Sequence, residues 1–480
     1  MNCPVARWAN EAPNRPALVF EGTTWTYRDL DSEVRHWSAI LVDRGVRRGA
    51  RVALLSNNRA ELVALIHACA RQGAASAPLN VRLTREELRP LIQRLAPQLV
   101  MVEEQLGSRL EGAELLERLD HDRSQAAPFG EEGAQLDPNA TFAILFTSGT
   151  SGAPRAAELT VANFAASARA SGLNLGTDPG QRWLACLPLF HVGGLAMLTR
   201  CAWYGACLVL HRHFREGAVN EALQRGEATH VSLVETALAR LLSAREALRF
   251  PTSVRAALVG GGPVSLELLQ RAKALGMPAL RTYGLTEATS QVATERLGDA
   301  DGLTAGPALS GLSVRIVDPL GNPLPSGESG EIQVHGPTLM RGYFGDERAT
   351  AEVFSEGWLK TGDLGSLDNQ GRLTVLARRT DLIISGGENI YPAEVENALR
   401  LHPAVEDAAV VGETSDRWGL SPVGIVVARG IAPDPAQLES WCRARLAGFK
   451  VPKRFVFLPA LPRNAIGKVD RGRLAQLVNK

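Results

Sequence analysis

Apolar residues along the first part of the chain switch between two spacings. Residues 52–56 form a short β-rich run. Residues 59–74 then place Leu62, Leu65, Ile66 and Cys69 at helical spacing, and 75–79 is apolar again, which predicts strand, helix, strand. Thr84 followed by Glu87 is a capping-box pattern ahead of a further helix, and 99–102 reads as the next strand. Repeated units of this kind predict a largely parallel sheet covered by helices on both faces.

The texture changes around 313–334, where short β-rich runs are separated by Gly and Pro turns (DPLGNPLPSGESGEIQVHG, 318–336), predicting a small β-rich subdomain. A second boundary is expected at 378–381. Beyond it, a helix at 392–399, strands at 408–411 and 423–427, a helix at 437–446 and a strand at 455–458 make a compact unit of about 100 residues. The expected fold is α/β: a large N-terminal domain over 1–378 with parallel-rich sheets and a small β-rich subdomain, followed by a small α+β C-terminal domain over 382–480. Residues 107–135 are polar and irregular and are expected at the surface.

Composition narrows the partners more than the fold. A chain of 480 residues allows a large core without disulfides. Lys and Arg total 52 against 51 Asp and Glu, a net charge of +1, so nothing points to nucleic acid or an anionic membrane. Six scattered cysteines show no metal-ligand or disulfide spacing and read as reduced thiols of a cytoplasmic protein. The N-terminus lacks the charged head and apolar stretch of a signal peptide. The most apolar stretch, 184–210, is interrupted by His191 and Arg200, so a soluble chain is expected with no integral membrane contact. Self-association into a homo-oligomer stays open. Only six of the 52 basic residues are lysines. In such a background a surviving lysine is more often present for its compact ammonium.

Five segments carry chemistry. FTSGTSGAPR (146–155) follows an apolar strand at 141–145 and supplies hydroxyls and unobstructed backbone N–H groups able to wrap phosphate oxygens. No Lys closes it, so it is not a Walker A loop, and taken alone it also fits a plain turn. RTYGLTEA (281–288) puts an aromatic ring, a glycine, a hydroxyl and a carboxylate close together: Tyr283 offers a stacking surface and Glu287 an oxygen ligand for Mg²⁺. GWLKTGDL (357–364) sets Asp363 after a glycine, where a carboxylate can accept both ribose hydroxyls. RRTDLIISGGENIYP (378–392) joins charge, an apolar strand and a Gly-Gly turn, and PRNAIGKVD (462–470) presents one lysine.

In order and spacing these segments resemble the adenylate-forming superfamily of acyl-CoA synthetases, firefly-luciferase-like enzymes and peptide-synthetase adenylation domains, over nearly the whole chain. The resemblance implies a mobile C-terminal domain, an active site between the domains, and two half-reactions. A carboxylate attacks the α-phosphate of ATP, and a thiol then displaces AMP from the acyl adenylate. It implies that Thr147, Ser148, Gly149, Thr150, Ser151 and Gly152 hold the β- and γ-phosphates, and that Gly260, Gly261, Gly262, Pro263, Tyr283 and Gly284 line the adenine. Thr286 would touch the α-phosphate, Glu287 the magnesium, and Asp363 and Arg378 the ribose. Lys468 would cancel charge growing at the pentavalent phosphorus. The loop departs from the common pattern at Ser151 and Arg155, where Thr and Lys are usual, and at Ala156 and Ala157.

Coenzyme A is the expected thiol. No carrier domain is expected after Lys480, and the SGGENIYP segment (385–392) resembles acyl-CoA ligases, in which Gly386 and Gly387 would border the pantetheine tunnel. The segments 182–184 with 187–195, 209–214, 283–293 and 381–396 resemble the acyl-CoA ligases of menaquinone synthesis more than fatty-acid ligases. That implies 2-succinylbenzoate as the acid, with one carboxylate activated and the other needing a fixed cation. Arg200, in an apolar stretch, is the candidate; a structural ion pair or a surface arginine remains the alternative. His191 reads as a pocket gate or a core histidine. Ser290 and Gln291 can bond the ketone or cap a local helix, and Trp183 and Trp203 are expected in the core. The alternatives are a CoA ligase for another aromatic or short-chain acid, a stand-alone adenylation enzyme loading a carrier protein, and a non-catalytic nucleotide-binding relative.

Overall fold

A computed structural model describes residues 1–121, 135–148, 154–262, 264–377, 382–462 and 469–479. The chain divides into two compact units. The first comprises Met1–Val81, Arg94–Leu145 and Ala156–Ala377; the second comprises Arg82–Gln93, Phe146–Arg155 and Arg378–Lys480.

The expected strand–helix–strand run is present in the first unit as Arg51–Leu55, Ala60–Arg71 and Ala75–Pro78, with Leu99–Val102 beside them, all parallel. The helix stops at Arg71 because Gly73, at φ +65°, turns the chain back, and a Cβ there would press on the Arg48 side chain. These strands belong to a seven-stranded sheet.

An eight-stranded sheet carries Tyr283, Gly284 and Ser290 on its strands. From one edge its order is Ser290–Thr294, Ala279–Leu285, Ala256–Val259, His230–Leu233, Arg182–Ala185, Cys207–Leu210, Pro16–Phe20 and Thr23–Thr26. Its interior pairs are parallel and the outermost pair at each edge is antiparallel. The interior strands Cys207–Leu210 and Ala256–Val259 are continuous apolar runs, as burial on both faces requires. Trp37, Trp183, Phe142 and Phe164 anchor the largest core cluster. A third sheet of antiparallel strands (Ser313–Val317, Gly330–His335, Phe354–Ser355, Trp358–Leu367, Leu373–Ala377) is the β-rich subdomain read at 313–334.

The second unit has its own five-stranded sheet. Gly419–Ala428 lies between Val405–Ser415 and Ile383–Ser385, with Arg454–Phe457 parallel to it. The helices Pro392–Arg400 and Pro435–Arg443 cover a separate core of Val395, Leu399, Val410, Val426, Leu438 and Cys442. The capping box read at Thr84 forms: the Thr84 hydroxyl accepts from the Glu87 N–H, and the Glu87 carboxylate accepts from the Thr84 N–H at 2.8 Å.

The stretch 107–135 is more structured than its polarity suggests. Leu116–His121 is a helix whose Leu116 and Leu119, three apart, are buried in the main core; residues 122–134 lie outside the described set. All six cysteines are buried and free. Trp203, expected in the core, is half-buried and packs against its edge. Among the described residues no helix is long and apolar enough to cross a membrane.

Candidate active site

Backbone sterics in the first unit bring the adenine-lining candidates together. Gly260 follows the buried strand Ala256–Val259, and a Cβ on it would stand 2.6 Å from the Thr282 carbonyl oxygen. The glycine is what lets that loop close on the strand carrying Tyr283. Gly261 continues at φ +81°. Gly284 is tighter still: a Cβ would lie 1.7 Å from the Ser290 carbonyl oxygen, across the hairpin formed by Ala279–Leu285 and Ser290–Thr294. The turn of that hairpin holds Thr286 and Glu287, then passes through Thr289 (φ +52°) and Ser290 (φ +89°), non-glycine residues in a disfavoured region.

Long-range hydrogen bonds orient the acidic groups. Tyr283, buried, donates its hydroxyl to the Asp363 carboxylate at 2.7 Å. Asp363 is also buried, its N–H donating to the Thr361 hydroxyl, whose own proton goes to the Ile332 carbonyl. Glu287 is half-exposed; its carboxylate accepts from the Tyr343 hydroxyl at 2.9 Å, and its main-chain carbonyl accepts from the Met340 N–H at 2.8 Å. Among the described residues no cluster of three metal-ligating side chains exists. One oriented carboxylate fits Mg²⁺ that keeps waters and takes its remaining ligands from a polyphosphate.

His191 occupies the N-cap position of the helix Val192–Tyr204, half-buried, with its ring 4.6 Å from that of Phe190. The loop before it is pinned by Asn58, buried, whose amide donates to the Leu187 and His211 carbonyls and accepts from the Leu189 N–H. Arg200 lies further along the same helix and is 2% exposed. Its guanidinium sits 4.7 Å over the Trp183 ring and donates from Nη2 to Gln291 Oε1 at 2.7 Å; Nε has no hydrogen-bond partner. No ion pair to Arg200 forms among the described residues, and burial pulls its pKa below the usual arginine value. The structure therefore gives it neither of the roles weighed against a ligand contact, a structural ion pair or a surface position.

Gln291 is engaged at both ends of its amide, its oxygen accepting from Arg200 and one N–H donating to the Thr294 hydroxyl. Ser290 stands at the hairpin turn opposite Leu285.

In the second unit, Gly386 (φ +58°) and Gly387 (φ +84°) form the two-residue turn between Ile383–Ser385 and Glu388–Ile390. Two positive φ values in a hairpin loop require this pair. The Gly386 N–H donates to the Trp418 carbonyl, and a Cβ on Gly386 would meet the Trp418 ring at 2.8 Å. Thr147 and Ser148 end the strand Thr141–Ser148, and the Thr147 hydroxyl reaches the Arg155 carbonyl at 3.5 Å. Gly149, Thr150, Ser151, Gly152, Pro263, Arg378 and Lys468, together with the boundary expected at 378–381, lie outside the described residues. Sequence reading missed Asn58, Tyr343 and Trp418. Each acts through a partner distant in sequence, and only the isolated aromatic or amide was there to be noticed.

The chain is similar to known proteins over nearly its whole length. The AMP-binding enzyme family matches residues 5–344, and the AMP-binding enzyme C-terminal domain matches 394–468. The 2-succinylbenzoate–CoA ligase of Bacillus subtilis is 39% identical over 475 residues, covering 97% of this chain and 96% of its own. That of Bacillus pumilus is 40% identical over 474 residues, covering 96% and 95%. Among solved structures, a double mutant of the Bacillus subtilis o-succinylbenzoate CoA synthetase bound to a product analogue matches with a TM-score of 0.94, at 38% identity and 99% and 98% coverage. The same enzyme with ATP and magnesium ion matches with a TM-score of 0.74, at 37% identity and 99% coverage of both chains.

Proposed function

The chain belongs to the AMP-binding enzymes, and from that premise we propose that it is a cytoplasmic, AMP-forming acid–CoA ligase that converts 2-succinylbenzoate to 2-succinylbenzoyl-CoA. The observation that carries the choice of acid is Arg200, a buried guanidinium stacked on Trp183 with no carboxylate paired to it among the described residues. Burying an uncompensated charge is costly, so the site favours a ligand that brings the anion. A diacid does so with the carboxylate that is not activated.

The first half-reaction is in-line attack of the other carboxylate on the α-phosphorus of ATP, with pyrophosphate leaving. Asp363, held by Tyr283, accepts hydrogen bonds from the ribose hydroxyls, and Arg378 donates to the ribose oxygens. Gly260, Gly261, Gly262, Pro263 and Gly284 line the adenine, with Gly260 and Gly284 at positions where a Cβ would strike the Thr282 and Ser290 carbonyls and hold the backbone apart. Thr147, Ser148, Gly149, Thr150, Ser151 and Gly152 donate to the β- and γ-phosphates. Thr286 donates to the α-phosphate, and Lys468 neutralises charge developing there. Glu287, oriented by Tyr343, would hold Mg²⁺, which screens polyphosphate charge when bound. In the second half-reaction the thiol of CoA attacks the acyl carbon and AMP leaves. Gly386 and Gly387 keep the pantetheine path free of side chains, His191 gates the acid pocket, and Ser290 faces the substrate ketone. We read 1–378 as the adenylating domain and 382–480 as the mobile domain; the second compact unit holds most of the latter together with Arg82–Gln93 and Phe146–Arg155.

CoA-dependent AMP release tested over 2-succinylbenzoate, benzoate, malonate and octanoate checks the reading. The highest kcat/KM is expected for 2-succinylbenzoate; a higher value for any other acid in the panel would replace the substrate.

A further inference from the structure

Arg200 is held by a hydrogen-bond chain whose direction is fixed by donor and acceptor chemistry. A guanidinium only donates, so the Gln291 group 2.7 Å from Nη2 is the carbonyl oxygen, Oε1. The Gln291 amide nitrogen then faces Thr294 and donates to its hydroxyl at 2.9 Å. Thr282 donates its single hydroxyl proton to the Ala293 carbonyl at 3.1 Å. The 2.8 Å contact between Thr282 and Thr294 must therefore be donated by Thr294. Every bond from Arg200 to the Ala293 carbonyl points the same way, an arrangement in which each bond polarises the next.

All members except Arg200 are uncharged. Gln291 is 4% exposed and Thr294 is fully buried, so the part of the chain next to Arg200 is shielded from solvent, while Thr282 at its far end is half-buried. A Glu in place of Gln291 would offer the same acceptor oxygen in the same position but would neutralise the guanidinium. The neutral amide fixes the direction of Arg200 and leaves its charge whole, with Nε lacking a partner.

We propose that Gln291 is the specificity-determining positioning residue of the acid pocket: it orients Arg200 without compensating its charge, so the pocket selects an acid with a second carboxylate. This rests on the reading that Arg200 meets that carboxylate.

The test compares 2-succinylbenzoate with 4-oxo-4-phenylbutanoate, the same keto acid without the ring carboxylate, in the full-length enzyme, as a ratio of kcat/KM values. Gln291→Glu is expected to reduce the diacid preference about 100-fold, mainly through KM for the diacid, because an internal ion pair replaces the one to substrate. Gln291→Met, which keeps the Arg200 charge but removes its acceptor, is expected to reduce it about tenfold. A merely structural role would lower activity on both acids together and leave the ratio where it was. Retention of the preference by Gln291→Glu overturns the proposal, and if that variant does not fold, retention by Gln291→Met does so. Arg200→Gln separates the two levels. If it keeps the preference, the reading of Arg200 fails and this inference falls with it. If it loses the preference while the soluble Gln291 variants keep theirs, only the role of Gln291 is wrong.

Discussion

The hydroxyl of Tyr283 donates a 2.7 Å hydrogen bond to the carboxylate of Asp363, 80 residues further along the chain. Tyr283 was read as an adenine-side residue and Asp363 as a ribose ligand, and the bond makes them one buried assembly within the first unit. The tyrosine leaves one carboxylate oxygen committed and the group fixed in direction.

Tyr283→Phe removes that donor and keeps the ring. A hydrogen bond to a charged group contributes about 1.5–3 kcal/mol, so KM for ATP is expected to rise about tenfold or more, with a smaller change in kcat. Steady-state kinetics with varied ATP check this; an unchanged KM would separate Tyr283 from ribose binding.

Tyr343 stands in the same relation to Glu287, at 2.9 Å. Outer partners of metal ligands typically change metal affinity by about 10–100-fold. Tyr343→Phe is therefore expected to shift the Mg²⁺ concentration for half-maximal activity upward by about tenfold at saturating ATP. A magnesium titration of both enzymes reads the shift directly.

Two buried histidines make stability pH-dependent. Burial, then Arg71, holds His67 at about 3; burial, then Arg255 and Arg200, opposed by Asp178, holds His230 at about 4. Both values lie below the ordinary 6.5, so the unfolded chain takes up these protons first. Their stabilising contribution is full above about pH 6.5 and is lost as pH falls towards the folded values. Between about pH 7.5 and about pH 5 each histidine is expected to cost about 2 kcal/mol. Urea unfolding at the two pH values checks this, with a smaller drop expected for His230→Asn; a midpoint independent of pH would contradict it.

Lys468→Ala is expected to abolish adenylate formation while still converting supplied acyl adenylate and CoA to thioester. Pyrophosphate exchange and single-turnover thiolation measure the two steps separately. Equal loss in both would remove Lys468 from its assigned role.

Much of this was legible because it is local. The parallel strands at 51–55, 75–78 and 99–102, the Thr84 capping box and the Gly386–Gly387 turn each follow from residues within a few positions of one another. The adenine-side glycines were legible as a motif, but the physical demand on Gly284, a Cβ 1.7 Å from the Ser290 oxygen, exists only once the hairpin closes. Asn58, Tyr343 and the chain linking Arg200 to Thr282 were not legible. Their partners lie between 56 and 131 residues away for Tyr343 and the Asn58–Leu189 bond, and no periodicity marks such pairs in a single sequence. The buried leucines of Leu116–His121 were hidden by the charged residues between them.

The most direct measurement is product identification by mass spectrometry after incubation with 2-succinylbenzoate, ATP and Mg²⁺, with and without CoA. The account predicts one AMP and one pyrophosphate for each 2-succinylbenzoyl-CoA formed, and the acyl adenylate when CoA is left out. Release of ADP, or acyl adenylate accumulating in the presence of CoA with no thioester, would contradict it.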